Sequence, residues 1–392
     1  MMADNVEHVI TYWVLWQKFH SPTLVGFEVV SHWLPFLLLS IWFGSLAERY
    51  DCRRLIQGAQ VLFMLVSVSW GILFATGSLQ VWMACVLLVM HGMAGSMWSP
   101  AEQLMLHDFA GRRDLTSAIR LNATFKSLGV LLGPVVGSAL LLGLGSTAGI
   151  FTNVLFYLPL TLFLFRTKFT GHTREAVVSR ARLTMLDTLR VLGKVGSDRL
   201  LMSMMVLAAL TAIFIGGALQ TSMPVFANTL GAGSAGLAYG VLLFANGAGG
   251  VVGGFLLEAT GVIKPNARAA VVTTALFGVT TLIFASTGSY LLAVVALVVG
   301  GVANIASTSI GQSIVQLEAP SAERGRVLGV YSMFSSGFRV VGGVSLGVFG
   351  ALLGIGHLIA LSAALLVVGA LVTGVFVRAG HRRALSERVR PS

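Results

Sequence analysis

The chain has 392 residues, of which 56% are hydrophobic and only 10% charged, with 46 glycines and a formal charge of +11. Soluble domains carry roughly a quarter of their residues as charged, so this composition excludes a water-solvated globule and places most of the chain in lipid. No folded polar module gathers the basic residues, which excludes a nucleic-acid partner, and two cysteines, Cys52 and Cys85, provide no disulfide framework.

Apolar runs of about 20 residues, each long enough to cross ~30 Å of hydrocarbon as a helix, recur almost end to end. Segment one, at 1 to 19, reads ADNVEHVITYWVLWQ from its third residue and places Asp4, Glu7 and His8 where an apolar face is expected. It spans about 28 Å at most, with no cytoplasmic lead, so the natural segment is expected to begin upstream. Without a basic flank or small-residue cleavage site it is not a removable signal. Segments two to six follow at 24 to 46, 54 to 76, 80 to 106, 115 to 142 and 147 to 166. Segments seven to twelve follow at 200 to 228, 235 to 258, 267 to 287, 289 to 317, 326 to 353 and 357 to 378. The dyad alternation of a membrane β-barrel is absent from the sequence.

Charge in the short loops sets the orientation, because Lys and Arg mark the cytoplasmic side. Arg49, Arg53 and Arg54 follow segment two, Arg112 and Arg113 follow segment four, Lys264 and Arg268 follow segment eight, and Arg324 and Arg326 follow segment ten. The connections at 76 to 78, 143 to 147 and 228 to 236 carry no charge. Both termini are therefore expected in the cytoplasm, with the protein in the plasma (inner) membrane.

An offset of 209 to 210 residues superposes GSLAE at 44 to 48 on GFLLE at 254 to 258, and Gln103 on Gln312. The expected domains are a six-helix bundle at 1 to 166, a cytoplasmic linker at 167 to 199, a second six-helix bundle at 200 to 378 and a basic cytoplasmic tail at 379 to 392. Parallel six-helix halves joined by a long basic loop are the layout of major facilitator transporters.

The stretch GSLAERYDCRR, comprising Gly44, Leu46, Ala47, Glu48, Arg49, Asp51, Arg53 and Arg54, resembles the loop signature of the major facilitator superfamily, with Glu48 in place of the usual Asp and Cys52 in place of a basic residue. Gly44 lets another helix approach closely. Glu48, at a helix C-terminus, opposes the macrodipole and needs a cationic or helix N-terminal partner. A contact of this kind can gate one face; a solvated, topology-setting basic run is the alternative. In segment five, Gly129, Gly133, Pro134 and Gly137 resemble the antiporter motif of drug exporters, with Ser138 for the final glycine and Arg120 for an earlier one. The same small residues also suit ordinary helix packing. The stretches from Ser99 to Pro134 and from Leu317 to Met333 look like connections of one subgroup, to which the enterobactin exporter and macrolide efflux proteins belong. The resemblance implies a twelve-helix, all-α major facilitator fold and no enzymatic activity.

Ionisable groups at membrane depth are expensive, so each is a functional candidate. They are Asp4, Glu7 and His8, then Glu28 and His32, His91 and Glu102, Lys126 and Arg339. Asp4 and His8 share a helix face, with Glu7 nearly on it. In the repeat their counterparts are Phe214, Gly217 and Ala218, so the scaffold alone does not require polarity there. The functional reading is that a carboxylate of the Asp4, Glu7 and His8 group exchanges a proton as a cavity alternates sides. Asn5, Glu28, His32, Lys126 and Arg339 would line the cavity or pair with the carboxylates; a permanent structural ion pair is the alternative. Glu28 and His32 sit one turn apart near the outer mouth, within reach of water, and Glu102 lies near the cytoplasmic end. Trp13, Trp16, Trp33 and Trp42 read as interface anchors or core rather than as a ligand box.

No phosphate-binding loop, recognised metal-ligand spacing or cofactor fingerprint occurs, so neither a cofactor nor a metal is expected. The expected function is a proton-coupled exporter, acting as a monomer, of amphipathic small molecules such as drugs or siderophores. A lysophospholipid transporter is the second reading, from Asp4 with Asn5 and the SPA at 99 to 101. A non-transporting membrane sensor or scaffold is the third.

Overall fold

The computed structural model describes residues 1–173, 185–230, 235–261 and 264–388. Residues 174–184 of the expected linker, the side chains of the basic tail and the side chain of Trp16 lie outside the described residues.

The described secondary structure is helical throughout. In the first half, α1 is Met2–Phe19, α2 Pro22–Arg49, α3 Cys52–Thr76, α4 Val81–Leu155 and α5 Leu158–Arg166. After them come α6 Met185–Ser197, α7 Arg199–Thr211, α8 Ala218–Thr229, α9 Ala235–Thr260, α10 Ala267–Ser286, α11 Tyr290–Glu318, α12 Arg324–Ser332, α13 Arg339–Leu353 and α14 Ile355–Arg388. Starts are set by side-chain caps: Ser21 accepts from Leu24 N at 3.3 Å, Asp51 from Arg53 N at 2.9 Å and Asn266 from Ala269 N at 2.9 Å.

α4 covers three of the expected segments. Gly111 and Gly145 break it, with φ of 69° and 78°, a region that costs a Cβ-bearing residue but not glycine. Both fall between expected segment ends. Nine described stretches are long and apolar enough to cross a membrane, with Val81–Arg166 among them as one stretch; α1, which holds Asp4, Glu7 and Lys18, is not one of the nine.

Two local features depart from the expected pattern. Part of the linker, read as a loop, is the helix α6, which buries Val191 and Val195. Expected segments seven and eleven are each interrupted by a π-helical turn, Ala212–Gly216 between α7 and α8 and Met333–Gly337 between α12 and α13.

Helices from 1–166 meet those from 200–378 mainly along two seams, α2 against α12 and the middle piece of α4 against α9. Both seams run toward the end that carries the basic loops. At the first, a Cβ on Gly44 would fall inside van der Waals contact of the Gly325 carbonyl oxygen, so the backbones touch there only because both residues are glycine.

Candidate functional site

α1, α2, α3 and α4 converge roughly 14 to 22 Å from the end opposite the basic loops, counting 1.5 Å per residue along each helix. His91 of α4 bridges two carboxylates of α1: its Nε2 lies 2.7 Å from Asp4 Oδ1 and its Nδ1 2.9 Å from Glu7 Oε1. Ser67 of α3 donates to the other Glu7 oxygen. Glu7 and His91 are 2% and 3% exposed, so these contacts are shielded by protein. Ionised carboxylates only accept hydrogen bonds. Either the ring donates from both nitrogens, or a carboxyl holds one of the protons, and a proton has adjacent seats on three side chains.

His8 packs into the same group. Its ring centroid lies 4.9 Å from His32 and 5.0 Å from His91, with Tyr12 stacked on it at 4.9 Å. The Nδ1 of His32 is buried without a hydrogen-bond partner. The His32 ring then meets Trp33 at 4.4 Å, and the Arg339 guanidinium of α13 sits over the Trp33 ring at 4.5 Å. Arg339 has no carboxylate partner among the described residues, and its Nε is buried without an acceptor. A polar group of the first half is thus joined through two aromatic rings to a cation of the second.

The π-helical turns explain where Arg339 comes to lie. It lies two residues after the turn at Met333–Gly337, and its side chain packs against Gly216, in the other π-helical turn. Such turns re-aim the side chains around them.

Several expected pairings are corrected by this geometry. Lys126 does not reach Asp4 or Glu7; its Nζ bonds Glu102 at 2.5 Å and lies 5.1 Å from the Trp98 ring centre. Glu102 is therefore held by Lys126. Arg339 meets an aromatic ring instead of a carboxylate, and Trp33 is its platform rather than an interface anchor. Glu28 is 3% exposed with Oε1 unpartnered, not open at a mouth, because α2 turns it into the bundle. Asn5 bonds back to the Met1 carbonyl at 2.8 Å and lies over Gly133.

Gly129, Gly133 and Gly137 form the seat of α1: their missing side chains leave room for Met1, Asn5 and Val9. Pro134 lies in this run, inside α4. The motif thus places the helix that carries Asp4 and Glu7.

At the basic end Glu48 meets both kinds of partner that its position calls for. It accepts from the Arg326 backbone N–H at 2.7 Å, at the start of α12, and from Arg326 Nε at 2.9 Å. Its repeat counterpart Glu258, at the end of α9, accepts from Arg120 Nη1 at 3.1 Å and from Ser117. Arg120, which stands where the resembling motif has a glycine, also bonds the Leu257 carbonyl at 2.6 Å. Lys194 of α6 adds a bond to Glu323 at the same end. The other loop-signature residues look inward or outward: Arg53 chelates Asp51 and donates to the Thr167 carbonyl at 2.7 Å, while Arg49 and Arg54 are exposed. Burial raises the Asp51 carboxyl, but the stronger combined pull of Arg53, with Arg54, leaves it below the usual carboxylate range.

Sequence reasoning named His91 among intramembrane ionisable groups without linking it to Asp4 and Glu7, and it missed Ser67, Arg326 and Glu258 as partners. The repeat was the available signal for Glu258. Chain spacing showed no metal motif, yet Asp4, His8, His32 and His91 bring their ligand atoms within 4.8 Å of one another.

Residues 2–389 match the family model described as transmembrane secretion effector. Among curated proteins, the staphyloferrin A transporter of Staphylococcus aureus (strain NCTC 8325 / PS 47) is 20% identical over 130 residues, which is 33% of each chain. The match thus spans a third of that relative's length. Among solved structures, the human organic anion transporter MFSD10 (TETRAN) superposes with a TM-score of 0.77 at 13% identity, covering 95% of this chain and 96% of that one. A bacterial homologue of the iron transporter ferroportin, in an outward-facing state, gives 0.70 at 15% identity over 96% and 97%. The fucose:proton symporter of E. coli gives 0.71 at 14% identity over 95% and 96%. These likenesses show the major facilitator fold.

Proposed function

This chain belongs to the transmembrane secretion effector family of major facilitator transporters, and we propose that it is a proton-coupled exporter of amphipathic, anionic small molecules of the siderophore or drug class. The observation that carries this reading is one imidazole, His91, bridging two carboxylates at mid-depth across from a guanidinium, Arg339, that has no carboxylate partner among the described residues.

Each part has a task in alternating access. Arg339, displayed on Trp33, receives an anionic group of the substrate, for which a desolvated guanidinium is a strong partner. Asp4 and Glu7, sharing protons with His91, take up and release a proton as the site opens to either side. Reciprocity requires that substrate and proton influence one another only if their sites interact, and the chain His91, His8, His32, Trp33, Arg339 supplies contiguous contacts. The Glu48 and Glu258 contacts hold the basic end closed, and transport requires their release. The charge bias supports assigning that end, with both termini, to the cytoplasm, and the reading takes the chain as twelve crossings in two six-helix halves, a monomer in the plasma membrane. The staphyloferrin A relative supports the siderophore class.

Ligand binding to the folded state alone raises its apparent stability, so a thermal-shift screen of siderophores, cationic dyes and lysolipids tests the assignment. Anionic siderophore-like compounds should raise the melting temperature of the wild type and not of Arg339→Ala. A shift by lysolipids alone, or a siderophore shift unchanged in Arg339→Ala, would contradict it.

A further inference from the structure

We propose that Asp4, His8, His32 and His91 form a binding site for one divalent first-row transition-metal cation. The four residues come from α1, α2 and α4, and their candidate ligand atoms all lie within 4.8 Å of one another. A tetrahedral ion with ligands near 2.0 to 2.1 Å needs donors about 3.3 Å apart, so closure requires inward shifts on the order of 1 Å, within side-chain rotation.

The donor chemistry selects the class. Three imidazoles and one carboxylate suit zinc, cobalt, nickel, manganese or ferrous iron, whereas calcium and magnesium take oxygen ligands. Charge points the same way: the acidic groups at the cluster are Asp4 and Glu7, and a divalent ion among the rings balances both.

Two further observations point to a ligand. His32 turns into the cluster, 4.9 Å from the His8 ring and 5.6 Å from the His91 ring, yet its buried Nδ1 has no hydrogen-bond partner. A buried polar atom left unpaired is costly, and a cation would satisfy a ring nitrogen there. His91 also has the surroundings of a metal-bound histidine. With Nε2 turned to the ion beside Asp4, its Nδ1 is 2.9 Å from Glu7, a carboxylate that would fix the tautomer, and Glu7 is itself held by Ser67. Phe63, edge-on to the His91 ring at 4.8 Å, gives the site an apolar wall.

The site shares Asp4, Glu7 and His91 with the proton-coupling reading, but its binding test needs neither a substrate nor a gradient, so the two readings can fail separately. The test is titration of Co²⁺ into the purified, chelator-treated full chain without a histidine tag, followed by visible absorption and by calorimetry. The expected result is one Co²⁺ per chain with the intense absorption of a four-coordinate site, and displacement of Co²⁺ by Zn²⁺. His32→Ala removes no hydrogen bond of that side chain and should fold normally, judged by size exclusion; it should weaken binding by about 100-fold, and Glu7→Gln by about 10-fold. His8→Ala serves as the second ligand variant. No saturable binding by the wild type, or wild-type affinity in folded His32→Ala and His8→Ala, would overturn the site.

Discussion

Single side chains carry the contrast between the two ends of the molecule. Glu48 and Arg326 are both largely buried, with side chains 12% and 8% exposed, so removing Glu48 takes from Arg326 its nearest acid and leaves it Glu323 at 3.7 Å. Glu48→Ala should therefore destabilise the fold, by less than the ~3 to 5 kcal/mol of a buried charge left wholly unpaired, and Glu48→Gln, which can still accept the Arg326 N–H, should cost less still. Thermal unfolding in detergent measures both, and equal, small losses would contradict a buried pair. Asp51 behaves differently, being more open to water. Its carboxyl lies below the usual range through Arg53, so its contribution is present above the ordinary carboxylate range and is lost as pH falls through the lowered value. Asp51→Asn should lower stability at neutral pH, where that contribution is present, converge with the wild type in acid, and so flatten the acid limb of stability against pH. At this scale the sequence was partly legible: a carboxylate at a helix C-terminus announces its need for a partner. It does not announce a partner 278 residues away, because pairing at that range is decided by how whole helices pack.

Helices turn these pairs into a site, and α1 shows how. Its register on α4 is fixed by Gly129, Gly133 and Gly137, with Asn5 lying over Gly133. Gly133→Leu should lift α1 and separate Asp4 from His91. The expected outcome is a protein that expresses and runs as a single species on size exclusion but has lost the siderophore-induced thermal shift; an intact shift would show that the seat is unnecessary. The glycine pattern was legible as close packing, but which helix it receives was not, since small residues advertise a contact without naming the partner. The breaks at Gly111 and Gly145 were legible as gaps between apolar runs. The π-helical turns beside Arg339 were not, because no residue type compels an extra residue in a turn. The turn at Ala212–Gly216 lies where α13 packs closely against it, as at Gly342 against Ile213.

For the whole molecule, the repeat has a structural counterpart: Glu48 meets the start of α12, and Glu258 meets Arg120 on the middle piece of α4, so each half contributes a carboxylate to the other. In the proposed mechanism the two contacts hold one end shut while the ionisable cluster sits beyond them, as alternating access requires. The central claim is that the His91-bridged carboxylates couple proton movement to export. Its most direct measurement is substrate-dependent proton flux, read by an internal pH dye, in proteoliposomes holding wild type, Asp4→Asn or Glu7→Gln. The wild type should move protons against substrate. At least one of the two variants should lose pH-driven transport yet bind substrate with an affinity that no longer depends on pH. If both variants transport with the wild-type pH profile, the cluster is a structural ion pair and the claim fails.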